Sequence, residues 1–423
     1  MANNNITSRF FNLKNTTLSW IVWGLAGSFS LYVYLTQVLL SIMIPDLSKA
    51  FKIDAAGIGL LSATFFYTYL PMQIPAGILV DKFGSRRVLI LSSLLTGISV
   101  IAFSMAKTLT VAEISRIITG FVCAPSIAVT LYLAANWFLP SRFAVMVGLT
   151  EMAAMLGGVV GQFGLAQSVA AVGWRITVAG CGVFALLLGF LVWLVIHDKA
   201  RNEFHSAPSD STIQLKSLFK LPQMWLVGII AGFIFVLPTA FAGLWAVPFL
   251  SDLYDVGVKK AAFASSMVFV GIAIGGPFAG WFSDKLQRRR PVIITAACLS
   301  LVILMVIIYV PISFNLMVVL LFLLGFVMSA YVLAFAVARE ITPKSVRATA
   351  LSFTNLLSIV LGSPLFQPLI GFLLELDRGG QTLPNLFPII DYKIAFSVLP
   401  ICIGIAIILS FFMKETYCKE KGD

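Results

Sequence analysis

The sequence predicts an all-α polytopic membrane protein, with twelve transmembrane helices in two pseudo-symmetric six-helix bundles. Three observations predict it. Of the 423 residues, 59% are hydrophobic and only 11% are charged, where a soluble domain carries about a quarter charged. Twelve stretches have the length and apolarity of a crossing, which takes roughly 20 residues. A polar motif in the first half also recurs in the second half at a constant spacing.

In the first half the apolar stretches place spans near 20–44, 57–80, 88–105, 111–137, 144–169 and 174–196. In the second half they fall near 224–250, 261–283, 291–310, 314–341, 348–374 and 393–412. The segment before the first span carries Asn3, Asn4, Asn5, Ser8, Arg9, Lys14 and Asn15. It holds no short apolar core with a small-residue cleavage site, so the first span itself is read as the membrane-targeting element. The most polar stretch, 197–222, contains His197, His205 and Pro208 and reads as a flexible cytoplasmic linker. It separates an N-terminal bundle, 1–196, from a C-terminal bundle, 223–423.

The charge is distributed by topology. With the N-terminus inside, 20 of the 29 Lys and Arg fall on the inner side and eight on the outer, and Arg116 alone lies well within a span. The 18 acids divide nine inside and eight outside, with Glu151 alone well within a span. The formal charge of +11 therefore sits on one face. That is the positive-inside bias, and it predicts a bacterial inner membrane location with both termini cytoplasmic. Short basic segments flanking spans need no nucleic-acid partner, although the pI is near 9.5.

Cys123, Cys181, Cys298, Cys402 and Cys418 are odd in number and far apart. They read as small buried hydrophobes, with neither a disulfide framework nor a metal site. No phosphate-cradling glycine loop, nucleophile elbow or metal-ligand cluster occurs, so no cofactor and no enzymatic activity are expected. A receptor would need a signalling domain, and the tail 413–423 is only a few charged residues. Drive by ATP within this chain is excluded by the missing phosphate loop. An ion gradient or the substrate gradient is left.

The repeat lies in two loops. Gly77-Ile-Leu-Val-Asp81-Lys82-Phe-Gly84-Ser-Arg86-Arg87 follows the second span, and Gly280-Trp-Phe-Ser-Asp284-Lys285-Leu-Gln-Arg288-Arg289-Arg290 follows the eighth. Gly, Asp and Lys recur at an offset of 203 residues, as do Pro140 and Pro343. Halves related as parallel repeats about an axis along the membrane normal are a transporter architecture. Gly77 permits close helix packing, and Asp81 can meet the positive N-terminus of a neighbouring helix. Arg86 and Arg87 can pair with acids across an interface.

Residues Gly77 to Arg87 resemble the signature loop of the major facilitator superfamily, with a degenerate copy at 280–290 that lacks a glycine matching Gly84. The resemblance covers the whole chain. It implies the major facilitator fold and a loop that latches the cytoplasmic gate. Tyr32 to Gln37, Phe65 to Pro75, Arg142 to Ala144 and Gly157 to Arg175 resemble the phagosomal-transporter branch, which is linked to uptake of amino acids and nucleosides. The first span departs from that branch, with Leu35 to Gln37 where charge is often found.

A charge at mid-membrane costs about 2.5–3.5 kcal/mol, so buried charges are functional candidates. Arg116 heads a helical stripe with Thr119, Cys123, Ser126 and Thr130, a face suited to water or substrate. Arg116 to Gly120 also resembles the family's fourth-helix Arg motif, with Val122 in place of a later glycine. A structural Arg bonded to carbonyls is the competing reading. Glu151 has a pseudo-symmetric counterpart in Asn355, and Tyr34 and Gln37 share a face of the first span. By the family resemblance, Trp245 and Tyr331 face the same cavity. The fifth span lacks the Gly-Pro signature of family drug/proton antiporters, which favours import.

The expectation is a monomeric importer of a small polar metabolite, foremost an amino acid, coupled to a proton through Glu151. A nucleoside, a short peptide, a carboxylate siderophore, and a uniport or export mode stay open.

Overall fold

The structure, a computed structural model, describes residues 3–138, 143–196, 220–342, 347–376 and 387–419. His197, His205, Pro208, Pro140, Pro343 and all but the last residues of the expected linker lie outside the described residues. Of the described residues 89% are helical, and none of them forms a strand. Its twelve spanning helices are α1 Thr17–Ile42, α2 Ala55–Gln73, α3 Ser85–Met105, α4 Leu109–Trp137, α5 Val145–Val172 and α6 Trp174–Val195 in the first half. The second half holds α7 Pro222–Tyr254, α8 Val258–Leu286, α9 Arg290–Tyr309, α10 Phe314–Glu340, α11 Ala350–Glu375 and α12 Ile389–Phe411. Each begins and ends within a few residues of the expected span, except that α2 ends at Gln73 as an apolar span although its helix runs on to Phe83.

Helix starts are fixed by side chains that accept from otherwise orphaned backbone N–H groups. Asp54 Oδ1 accepts from Gly57 N at 2.7 Å before α2. Thr108 and Ser313 do the same before α4 and α10. Small residues set the tightest crossings. A Cβ on Gly120 of α4 would lie 2.0 Å from Phe65 O of α2, and one on Gly325 of α10 would lie 2.0 Å from Val268 O of α8. The internal repeat thus extends from the motif loops into helix packing.

Several helices are irregular, among them α4, which breaks at Ala124–Pro125. α7 widens to a π-helix over Leu237–Trp245, which includes Pro238. α5 has a π turn at Val160–Gly164, and α11 breaks at Gly362, two residues before Pro364. Pro71, Pro75 and Pro277 sit inside unbroken helices. Proline removes one helix hydrogen bond, and here it coincides with a disrupted ladder near 125, 238 and 364.

The bundles meet on one side. The end bearing the chain between α6 and α7 is termed the linker end, and the opposite end the far end. Tyr67 Oη donates to Pro364 O, and Ala55 N donates to Glu375 Oε1, joining α2 to α11. A Cβ on Gly59 would lie 2.5 Å from Gln367 O, and one on Gly371 2.4 Å from Ala55 O. Gly158 and Phe163 of α5 pack on Phe269 and Phe263 of α8. Among the described residues, the hydrogen bonds and ring contacts shown between bundles all fall between mid-membrane and the far end.

Candidate functional site

Between the bundles, Glu151 of α5 is exposed, yet its carboxylate lies within electrostatic reach of the Tyr34 and Tyr69 hydroxyls of one bundle and of Tyr331 in the other. An exposed group with neighbours on both sides stands between the bundles. Tyr34 is half-buried, and its ring meets Phe269 of α8 edge-on at 5.8 Å. Asn355 is half-buried in the linker-end half of α11. Tyr331 is buried in a short 3-10 turn, Ser329–Val332, with its ring 4.9 Å from Phe235. Tyr34 and Gln37 line a small cavity with Phe66, Pro238, Thr239, Ser363 and Gln367.

Arg116 is placed elsewhere. It is 4% exposed, inside the first bundle. Its Nη1 donates to Thr36 O at 2.9 Å and its Nη2 to Ser62 O at 3.2 Å, with the guanidinium over the Phe65 ring. The stripe beneath it faces helices rather than water. Thr119 pairs with Ser99, Cys123 with Thr96, and Thr130 with Ser30. The competing reading, a structural Arg bonded to carbonyls, describes this geometry. No ion pair joins Arg116 to Glu151. Trp245 is likewise packed shut, with Nε1 donating to Gln367 O at 3.1 Å, and lines none of the cavity.

The sequence reading missed two glutamines. Gln162 sits in the π turn of α5 and donates from Nε2 to Ala242 O across the bundle boundary and to Ser41 Oγ. Gln367 donates from Nε2 to Thr239 O at 3.0 Å. Both acceptors are carbonyls in the widened part of α7, where the regular i→i−4 ladder is lost. The signal was available: both lie in nominally apolar spans, 205 residues apart, close to the repeat offset.

At the linker end the two motif loops differ. After α2, Gly84 takes φ +83°, a region closed to most side chains. Arg86 donates to Trp193 O at 2.7 Å within its own bundle. Lys82 and Arg87 are exposed. The Asp81 side chain lies outside the described atoms. Among the described residues, nothing approaches within 4 Å of a Cβ on Gly77 or Gly280.

In the second copy, Gln287 occupies the Gly84 position and still takes φ +52°. Arg289, not Arg288, is the hub. It pairs with Asp284 at 2.7 Å and with Glu340 at 2.8 Å. Arg288 instead lies over the Tyr417 ring, and Lys285 over that of Trp281. Burial works against the charge of Arg289, and the Glu340 and Asp284 carboxylates more than offset it, raising its pKa. Aligning the loops at the 203 offset puts Arg289 on Arg86 and would have found it. Glu415 Oε1 and Oε2 cap the start of α9, accepting from Arg289 N and Arg290 N.

Comparison with known proteins places these features. The family model described as Major Facilitator Superfamily matches residues 25–367 and 239–417. A probable sulfoacetate transporter of Cupriavidus necator is 23% identical over 274 residues, covering 60% of this chain and 63% of that protein. A probable galactarate/D-glucarate transporter of Escherichia coli is 24% identical over 366 residues, covering 78% of this chain and 81% of that one. The chain thus spans about 63% of the length of the first of these relatives. Among solved structures, a bacterial homologue of the human lysosomal transporter Spinster, inward-facing and unoccupied, superposes with a TM-score of 0.79 at 15% identity, covering 94% of this chain and 97% of that one. A D-xylose–proton symporter gives 0.75 at 15% identity, covering 95% and 99%.

Proposed function

The chain belongs to the Major Facilitator Superfamily, and from that premise we propose that it is a secondary active transporter that imports a small polar metabolite by alternating access. The observation that carries the reading is the asymmetry of the interface. The bundles are closed upon each other from mid-membrane to the far end, while Glu151 stands exposed between them on the linker side. With the linker end cytoplasmic, as the basic residues argue, this is an inward-facing state. Rocking the bundles about the central region exposes the same groups to the other side.

Amino acids are the first substrate class to test, as in the phagosomal-transporter branch that the sequence resembles. The relatives named above are described as carriers of acids, and a nucleoside, a short peptide or a carboxylate siderophore stays an alternative. Among the described residues between the bundles, Glu151 is the exposed acid, and no ion pair joins it to a cation. A zwitterion or a neutral solute suits that count better than a polyanion. Tyr34, Gln37 and Asn355 supply uncharged hydrogen-bonding groups around the carboxylate.

Proton coupling is assigned to Glu151. Among the described spans it is the acid that stands between the bundles, and no histidine occurs in any span to serve in its place. Proteoliposomes loaded with an imposed pH gradient, inside alkaline, should accumulate substrate. Glu151→Gln should abolish uphill accumulation while leaving counterflow exchange. Accumulation by the wild type that ignores the gradient, or uphill uptake by the Gln variant, would refute the assignment.

A further inference from the structure

The geometry points to a substrate subsite at the far-end floor of the interbundle space, built to accept a hydrogen bond from an O–H or N–H group and carrying no charge of its own. It rests on the transporter reading above. The polar lining comes from both bundles: Tyr34 and Gln37 on one side, Thr239, Ser363 and Gln367 on the other. Lys, Arg, Asp and Glu are absent from the wall.

The direction of recognition follows from the amide of Gln367. The carbonyl of Thr239 can only accept, so the NH2 of Gln367 must face it, at 3.0 Å. That fixes Oε1 on the opposite side. Gln367 is 1% exposed, and Oε1 has no partner. The helix around it cannot turn to find one. Its own carbonyl accepts from Trp245 Nε1, and its backbone presses on Gly59. Ser363, fully buried on the same wall, also leaves Oγ without a partner. The Thr239 hydroxyl, by contrast, is spent on Phe235 O at 2.6 Å.

Buried polar atoms in native folds are almost always paired. Gln367 Oε1, which can only accept, and the Ser363 hydroxyl, which can accept as well as donate, share one wall of one cavity and together suit a donor group. The donor is shared by two sources, the hydroxyls and N–H of a nucleoside and the ammonium of an amino acid. A dicarboxylate of the kind named for the Escherichia coli relative finds no cation here to balance it.

The test uses the purified full-length protein with three probes: uridine, L-serine and D-glucarate. Thermal stabilisation reads binding, and proteoliposome uptake reads transport. Uridine or L-serine should stabilise the wild type, and which of them does so identifies the source. Gln367→Leu and Ser363→Ala should each weaken that binding roughly tenfold, the cost of one lost hydrogen bond in a dry site. Ser363→Ala removes one oxygen without touching the Gln367 contacts, so it keeps the test sharp if Gln367→Leu folds poorly. Stabilisation by D-glucarate alone, by none of the three, or equally in wild type and both variants overturns the subsite. If the variants take up a probe with unchanged KM, the transporter reading stands and the subsite falls. If a probe binds and loses binding in the variants but never enters the vesicles, the subsite stands and the transporter reading falls.

Discussion

Arg116 is a charge held inside one bundle by backbone carbonyls. Its two terminal nitrogens hold the carbonyls of Thr36 and Ser62, on α1 and α2, so one side chain on α4 ties three helices. Arg116→Gln should leave at least one of those carbonyls unpaired in a dry site, at about 1–3 kcal/mol each. Arg116→Lys should do little better, because an ammonium cannot reproduce the planar fork. Both should lower the apparent Tm measured by thermal shift, while the protein that survives keeps its substrate KM. A normal Tm with a raised KM would instead put Arg116 in the binding site. The sequence made the residue conspicuous, but which way its guanidinium turned depended on helix positions that spacing along α4 alone does not contain.

At the scale of elements, the far-end closure rests on α2 meeting α11 through glycine. Gly59→Leu would push a side chain into the Gln367 and Pro368 backbone, which a Cβ alone already meets at 2.5–2.8 Å. Backbone cannot yield as a flexible side chain can, so the variant should favour the state open to the far side. The check is Gln37→Cys, alone and combined with Gly59→Leu. Membrane-impermeant maleimide added outside cells should label the double variant several-fold faster. Equal labelling would show that this contact does not hold the closure.

The opposite shift belongs to the motif loop after α2. Asp81→Asn should fold and insert normally but slow uptake, because it disturbs the balance of the two states. Unchanged uptake kinetics in a well-expressed variant would count against a latch there. The twelve helices were legible because a crossing has a fixed length and an apolar composition. The π segment of α7 and the glutamines bonded to it were not, since hydropathy averages over the distortions that make a site.

For the whole molecule, the repeat governs more than topology. Gly120 over Phe65 and Gly325 over Val268 place the same tight crossing in both bundles, yet the linker-end loops have diverged. The first ties Arg86 to a neighbouring helix end, while the second buries an Arg289–Asp284–Glu340 cluster. The second cluster is tied to the segment after α12. Glu415 caps α9, Thr416 donates to Glu340, and Gln223 at the start of α7 bonds Phe412 O and Lys414 N. These contacts also impose an order of assembly. Synthesis is vectorial, and Glu415 follows the Arg290 N–H that it caps by 125 residues, so the ribosome delivers α9 long before its cap. Until then the helix start faces water uncapped, and the second bundle stays unfinished at the side where the gate must work. A chain stopped at Phe411 would hold every span and still lack that seal. It should insert with twelve crossings yet show faster protease clipping between α8 and α9 than the full chain, as followed by limited proteolysis of inside-out vesicles.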